Sequence, residues 1–209
     1  SYLPGGNRAE QAVITGRLGE AVGGPEPLLD VKDDLAVQAT AVDMLTQLGY
    51  RVLRANNGDA AMHVLQCGER IDMLFTDVVM PGVVRSPDLA RLALNLFPEI
   101  AVLYTSGYTR NAIVHGGRLD PGVELISKPY RGEDLARKIR HARFLKASEQ
   151  AGHKLAINVG FDEARGVTEL TILAPDHPWL LSIIAGSCAS AGANIVDAQI
   201  STTRDGMAL

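Results

Sequence analysis

The sequence predicts an α/β fold in which a parallel sheet of five strands carries helices on both faces. Short apolar segments alternate along the chain with segments whose apolar residues recur at helical spacing. The connections are short, and right-handed crossovers between parallel strands place the helices on both sides of the sheet. Several of the predicted strands also end in a charged or polar residue, which directs attention to one edge of the sheet.

The predicted strands are apolar runs that stop at turn or charged residues. They span residues 28–31, 51–54, 71–76, 101–105 and 123–126. Helical spacing follows each of them, over residues 35–48, 60–66, 86–97, 111–118 and 132–145. The repeating pattern therefore accounts for residues 28–145 and leaves a segment at either end of the chain.

Composition excludes several classes of function. The 209 residues carry a formal net charge of −4, and no basic run with interleaved aromatic residues occurs, so we expect no nucleic-acid binding. Cys67 and Cys188 are far apart and are predicted to be reduced, buried thiols, which indicates a cytoplasmic protein. The most apolar window, residues 180–196, is interrupted by serines and an asparagine, so no membrane anchor is expected.

The residues at the predicted strand ends form a chemical set. They are Asp33, Asp77, Thr105 and Lys128. Two carboxylates with a backbone carbonyl can hold Mg²⁺, and a carboxylate such as Asp77 can act as a nucleophile toward phosphorus. A threonine hydroxyl and a lysine ammonium can bind the oxygens of a phosphoryl group during transfer. The four side chains together predict phosphoryl-transfer chemistry.

Three motifs in this region resemble those of response-regulator receiver domains, namely L-F-T-D-V-V-M-P-G, Y-T-S-G-Y and I-S-K-P-Y. The phrase T-R-N-A-I-V-H-G-G-R-L-D-P-G-V-E-L is similar to receivers of hybrid sensor histidine kinases. The resemblance implies a flavodoxin-like fold, phosphorylation of Asp77 by a histidine kinase or phosphotransfer protein, and Mg²⁺ as cofactor. It further implies that Asp33 and the Val79 carbonyl bind the metal, with Asp34 as an additional candidate. Thr105 is implied as the switch hydroxyl and Lys128 as the phosphate-binding lysine.

Three residues depart from the receiver pattern. Lys32 stands where such receivers have the first of two consecutive acids, and a cation there competes with Mg²⁺. Asp30 replaces an apolar residue of a central strand, and the two-residue spacing predicts that it pairs with Lys32 on one face. Leu125 replaces the aromatic residue that reports phosphorylation in many receivers.

The C-terminal part of the chain has a different pattern. Residues 166–174 and 194–202 are predicted strands on either side of a helix at 180–191, which gives a βαβ order. The segments F-D-E-A-R-G-V-T-E-L-T and A-G-A-N-I-V-D-A-Q-I-S-T-T-R-D-G-M-A-L resemble the ACT domain of uridylyltransferase/uridylyl-removing enzymes, over residues 156–209. In that family the third strand lies between the first two, and here it only begins. Open strand edges therefore predict a segment that is either mobile in the monomer or ordered by strand exchange in a homodimer. Asp176 and His177 are candidate ligand residues.

The predicted organisation is a linker or kinase-domain tail at residues 1–26, a receiver at 27–148, a linker at 149–155 and an incomplete ACT-like segment at 156–209. No separate catalytic domain is expected. The leading hypothesis is a phosphoacceptor receiver of two-component signalling. A receiver that is not phosphorylated and serves only in protein interaction, and an ACT-type fragment that senses a small molecule, are the alternatives.

Overall fold

The computed structural model describes residues 13–14, 26–107, 123–162, 166–202 and 206–209. Its strands are β1 (Val13–Ile14), β2 (Pro27–Val31), β3 (Arg51–Ala55), β4 (Met73–Asp77), β5 (Ala101–Ser106), β6 (Val123–Ser127), β7 (Ala156–Asp162), β8 (Val167–Pro175) and β9 (Met207–Ala208). Its helices are α1 (Leu35–Gln47), α2 (Gly58–Gln66), α3 (Ser86–Leu96), α4 (Gly132–Gln150) and α5 (Leu180–Ser190). The described residues form two compact units, one made of 26–107 with 123–151 and the other of 13–14 with the residues after 151.

The first unit is a five-stranded parallel sheet with the strand order β3-β2-β4-β5-β6. The predicted α/β class, the parallel sheet and its helices are thereby confirmed. The helix predicted at 111–118 lies outside the described residues. Helix α4 continues to Gln150, so it runs past the boundary predicted at residue 148.

Helices cover both faces of this sheet because the strand residues alternate between two apolar clusters. On one face, Leu28, Met73, Phe75 and Leu103 pack with residues of α1 and α4 such as Leu45 and Ile139. On the other face, Leu29, Leu74 and Val102 pack with residues of α2 and α3 such as Leu65 and Leu89. The two clusters fix which side chains of each strand reach which face.

The second unit is built on an antiparallel hairpin of β7 and β8, which pair along seven residues of each strand. Strand β1 extends the hairpin in parallel with β7, and β9 pairs antiparallel with β8. The sequence pattern misses two strands. Strand β1 lies in the predicted linker or kinase-domain tail, and β7 lies in the predicted ACT-like segment, before its first predicted strand at 166–174. Strand β8, which matches the predicted strand at 166–174, is therefore paired by β7 and not left open on both sides.

The strand predicted at residues 194–202 is not formed, and only Thr202 makes an isolated antiparallel bridge, to Ala208. The physical reason is that β9 has only two residues, so it provides too few backbone partners for a second strand to pair along its length. Helix α5 matches the predicted helix, but none of its residues is buried. The homodimer through this segment stays a prediction.

Two further expectations concern the cysteines and the possibility of a membrane-spanning helix. Cys67 and Cys188 are free thiols. Cys67 is exposed at the end of α2 and Cys188 is only half-buried in α5, so the predicted burial of both is wrong. Among the residues that the structure describes, no helix combines the length and apolarity that a membrane crossing requires.

The loop after β4 is held against the start of α2 by a close approach that requires glycine. A Cβ atom on Gly58 would lie 2.3 Å from the carbonyl oxygen of Val84 and 2.8 Å from its Cβ. Since the loop carrying Val84 leaves the last residue of β4, Gly58 controls how closely this edge of the sheet can pack.

We predict that Gly58→Ala lowers the free energy of unfolding by about 1–3 kcal/mol, because the added methyl group overpacks a backbone contact. The matched control is Gly132→Ala, since Gly132 also begins a helix and has open space around the added methyl group. Urea unfolding of both variants provides the test. Equal stability of Gly58→Ala and the control would show that the loop moves away at no cost.

Candidate functional site

The candidate site lies at the carboxyl edge of the parallel sheet, on the face that α1 and α4 cover. Asp77 is the last residue of β4, and Thr105 is its register partner in β5. Lys128 follows β6 directly, and its backbone N–H donates to the Ser106 carbonyl over 2.7 Å. The structure thus brings together three of the four residues that the sequence predicts for phosphoryl chemistry.

An ion pair joins the two charged members of this group. Lys128 Nζ lies 2.7 Å from Asp77 Oδ1, with 28% of the lysine side chain and 9% of the aspartate side chain exposed. The contact lacks hydrogen-bond geometry, so Oδ1 has no hydrogen-bond donor within the described part of the chain. A largely buried carboxylate beside a cation, with one oxygen that accepts no hydrogen bond, can act as a nucleophile toward phosphorus.

Thr105 places a second polar group beside Asp77. Its side chain is fully buried, and its hydroxyl lies beside the Tyr130 phenol, close enough for a side-chain hydrogen bond. A buried hydroxyl normally has such a partner. The Thr105 hydroxyl is thus a second hydrogen-bonding group beside Asp77.

Asp30 and Lys32 form a buried ion pair next to this group, as their spacing predicts. Lys32 Nζ lies 2.5 Å from Asp30 Oδ1, and neither side chain is exposed. The same ammonium lies 3.6 Å from the centre of the Phe75 ring, a cation–π contact. Lys32 consequently points into the protein, where Asp30 is its ion-pair partner.

Burial has opposite effects on the two partners. Desolvation raises the pKa of the Asp30 carboxyl, and the Lys32 ammonium opposes this increase. Desolvation lowers the pKa of Lys32, and Asp30 followed by Asp77 oppose the decrease. Each charge is thus stabilised mainly by its partner, and the Asp77 carboxylate is close enough to contribute.

Tyr130 is a neighbour of the site that the sequence interpretation missed. Its ring packs edge-on against Phe75, with 6.2 Å between the ring centres. Burial raises the pKa of the Tyr130 phenol, Asp30 and Asp77 raise it further, and the nearby Thr105 hydroxyl lowers it. An aromatic residue two positions after Lys128 was the signal that could have indicated it.

The candidate metal ligands differ in their surroundings. Asp33 is exposed and makes no hydrogen bond or ion pair to any described residue. Asp34, in contrast, caps α1, because its Oδ1 accepts from the backbone N–H groups of Ala36 and Val37 at 2.8 and 3.1 Å. Val79 directs its side chain to solvent. The described residues hold no group of three or more acidic, histidine or cysteine side chains around one point.

These residues fit a magnesium ion in part. Asp33 and Asp77 are carboxylates, and the Val79 backbone has a carbonyl, which are oxygen donors of the kind that Mg²⁺ accepts. One oxygen of Asp77 is already paired with Lys128. The ammonium of Lys32 is directed toward Asp30, so it opposes a cation less than its position in the sequence predicts.

In the second unit, Asp176 and His177 form an exposed turn. The Asp176 backbone N–H donates to the Gly206 carbonyl over 2.7 Å, and His177 Nδ1 accepts from the Trp179 backbone N–H over 3.2 Å. Their contacts describe the turn and do not test ligand binding, which stays a prediction.

Comparison with known proteins supports both resemblances. No family model matches the chain. A solved response regulator receiver protein from Sinorhizobium medicae WSM419 is 21% identical with a TM-score of 0.52, covering 58% of this chain and 96% of that chain. A solved response regulator receiver domain protein from Methanospirillum hungatei JF-1 is 22% identical with a TM-score of 0.50, covering 60% and 99%. The first unit therefore has the flavodoxin-like fold of response-regulator receiver domains.

A second comparison finds a relative with much higher sequence identity, consistent with the ACT-like segment. A bifunctional uridylyltransferase/uridylyl-removing enzyme from Rhodopseudomonas palustris is 88% identical over 76 residues, which are 36% of this chain and 8% of the enzyme. The chain thus spans only a small share of that relative's length. The chain joins a receiver-like unit to a stretch that resembles this enzyme.

We predict that Lys32→Met lowers the free energy of unfolding by about 3–5 kcal/mol, because it leaves the buried Asp30 charge without a partner. The double variant Asp30→Leu/Lys32→Met should be at least as stable as the parent, since it removes both buried charges. Chemical denaturation of the single and double variants measures the difference.

Arg91→Met is the control for this experiment, because Arg91 pairs with Asp88 on the surface and its loss should change stability by less than about 1 kcal/mol. A single variant Lys32→Met as stable as this control would contradict the buried pair.

Proposed function

We propose that this chain is a receiver that accepts a phosphoryl group on Asp77. The observation that carries the proposal is the geometry around Asp77, the last residue of the central strand. Lys128 Nζ lies 2.7 Å from its Oδ1, and its register partner Thr105 carries a hydroxyl. Nucleophile, cation and hydrogen-bond donor therefore meet at one edge of the sheet, where ligands bind in open parallel α/β folds.

The transfer proceeds by attack of an Asp77 carboxylate oxygen on the phosphorus of the donor. The bond from phosphorus to the donor's nitrogen or oxygen breaks, the donor atom leaves with the electron pair, and an acyl phosphate forms on Asp77. The ammonium of Lys128 balances charge on the phosphoryl oxygens, and the Thr105 hydroxyl donates to one of them. None of these roles requires a residue from the second unit.

A magnesium ion belongs to this proposal. Asp33, Asp77 and the Val79 carbonyl would hold it, and when bound it would supply positive charge to the phosphoryl oxygens. The phosphoryl donor would be a phosphohistidine of a histidine kinase or of a phosphotransfer protein. Its imidazole nitrogen is the leaving atom in the step above.

A second candidate function is a receiver that acts only through protein contacts. It is favoured by Lys32, which leaves the site with one acid fewer than two-acid receivers have. Sensing of a small molecule by the ACT-like unit has weaker support, because Asp176 and His177 lie exposed on a turn.

We predict that acetyl phosphate with Mg²⁺ adds one phosphoryl group to the chain and that Asp77→Asn abolishes the addition, because the amide is not a nucleophile toward phosphorus. Intact-protein mass spectrometry measures it. The control is Asp72→Asn, since Asp72 immediately precedes the other end of β4 and pairs with Arg70.

An unmodified parent chain would favour the protein-contact function. Modification that survives in Asp77→Asn would instead move the acceptor to another residue.

A further inference from the structure

The pair of Asp30 and Lys32 lies in line with the phosphoacceptor residue. Asp30 is the register partner of Phe75, and Asp77 follows Phe75 by two residues on the same face of β4. Lys32 follows Asp30 by two residues, which places its backbone level with Asp77 on the adjacent strand. A backbone hydrogen bond of 3.2 Å from Lys32 N–H to the Ala55 carbonyl fixes this position.

The Lys32 ammonium cannot leave its position easily. It is held by the Asp30 carboxylate at 2.5 Å and by the Phe75 ring at 3.6 Å, in a region without solvent exposure. The Asp77 carboxylate contributes to keeping Lys32 charged, and Lys128 acts in the opposite direction. The two ammonium groups and the Asp77 carboxylate therefore belong to one electrostatic group.

Formal charges show how this site differs from one with two acids. Two acids and two lysines of the site have formal charges that sum to zero, namely Asp30, Lys32, Asp77 and Lys128. The negative charge of Asp33 is therefore the one left uncompensated in this group. With an acid at position 32 and an apolar residue at position 30, the same site would carry one more negative charge and lack a fixed cation. A fixed cation stabilises negative charge that develops nearby without any need to be recruited from solution.

We propose that Lys32, held by Asp30, is a positioning residue of the phosphoacceptor site whose fixed ammonium takes part of the charge-balancing role of a divalent cation. The inference rests on the proposed function of Asp77. It means that phosphorylation of this chain depends less on divalent metal, and that the chain binds Mg²⁺ more weakly, than a chain with an acid at position 32.

The test compares the full chain with Asp30→Val/Lys32→Asp, which removes the buried pair and supplies the second acid. Acetyl phosphate is the donor, and its phosphorus–oxygen bond to acetate breaks as the Asp77 bond forms. The phosphorylation rate is measured with saturating Mg²⁺ and with EDTA, and Mg²⁺ binding to the unmodified chain is measured by calorimetry. We expect the rate ratio with and without metal to rise about tenfold or more in the variant, and Mg²⁺ affinity to increase by a similar factor.

A purely structural role would not move these two quantities in this way, because misfolding lowers the affinity and both rates together. The matched control is Glu124→Leu/Lys138→Met, which removes another buried ion pair. Lys138 Nζ lies 2.6 Å from Glu124 Oε2, and Glu124 is in β6, four residues before Lys128. The control should leave both the rate ratio and the Mg²⁺ affinity as in the parent.

If the swap variant fails to fold, as judged by circular dichroism, Asp30→Leu/Lys32→Met takes its place. That variant removes the ammonium without adding an acid, so its phosphorylation rate in EDTA should fall more than its rate in Mg²⁺. An unchanged rate ratio in a folded variant would overturn the role of Lys32 alone. A parent chain that is never phosphorylated, even with saturating Mg²⁺, would overturn both this inference and the proposed function.

Discussion

A lysine ammonium with no exposure to solvent has to be neutralised inside the protein, and this constraint organises the candidate site. The Lys32 ammonium satisfies this constraint by pairing with the Asp30 carboxylate and contacting the face of the Phe75 ring. Removal of a single partner leaves an uncompensated buried charge, whereas removal of both does not. Asp30 and Lys32 are therefore one unit in energetic terms, and each explains why the other is tolerated in a central strand.

The two-residue period of the strands connects this pair to Asp77, the proposed phosphoacceptor. Asp30 and Lys32 on β2, and Phe75 and Asp77 on β4, lie on the same face because the parallel register pairs Asp30 with Phe75. The register of the next strand adds Thr105 beside Asp77. On this face of the sheet, apolar residues form the core and polar residues lie at the carboxyl ends of the strands. The same alternation of side chains therefore builds both the core and the site.

Much of this arrangement could be predicted from the sequence, because it depends on local patterns. Asp77, Thr105 and Lys128 were predicted from their places at strand ends, and the partnership of Asp30 and Lys32 followed from their spacing. Whether the Lys32 side chain turns toward a metal or into the core could not be predicted, since this depends on Phe75, which is distant in sequence. The capping by Asp34 has a local signal, an acid directly before a helical pattern, that was interpreted as a metal ligand.

The second unit was harder to predict because its pairing is not local. Strand β1 pairs with β7 across most of the chain, and no periodicity reports such a contact. The strand predicted at 194–202 has the right composition, but a strand forms only where a ladder partner exists, and β9 provides one for two residues.

The most direct test of the account is a crystal structure of the chain with Mg²⁺ and beryllofluoride, an analogue of the phosphoryl group. We expect beryllofluoride on the Asp77 carboxylate while Lys32 Nζ stays in contact with Asp30 and the Phe75 ring. A Lys32 side chain turned out toward solvent, with Asp30 left unpaired, would contradict the central claim that this buried pair is a fixed part of the site.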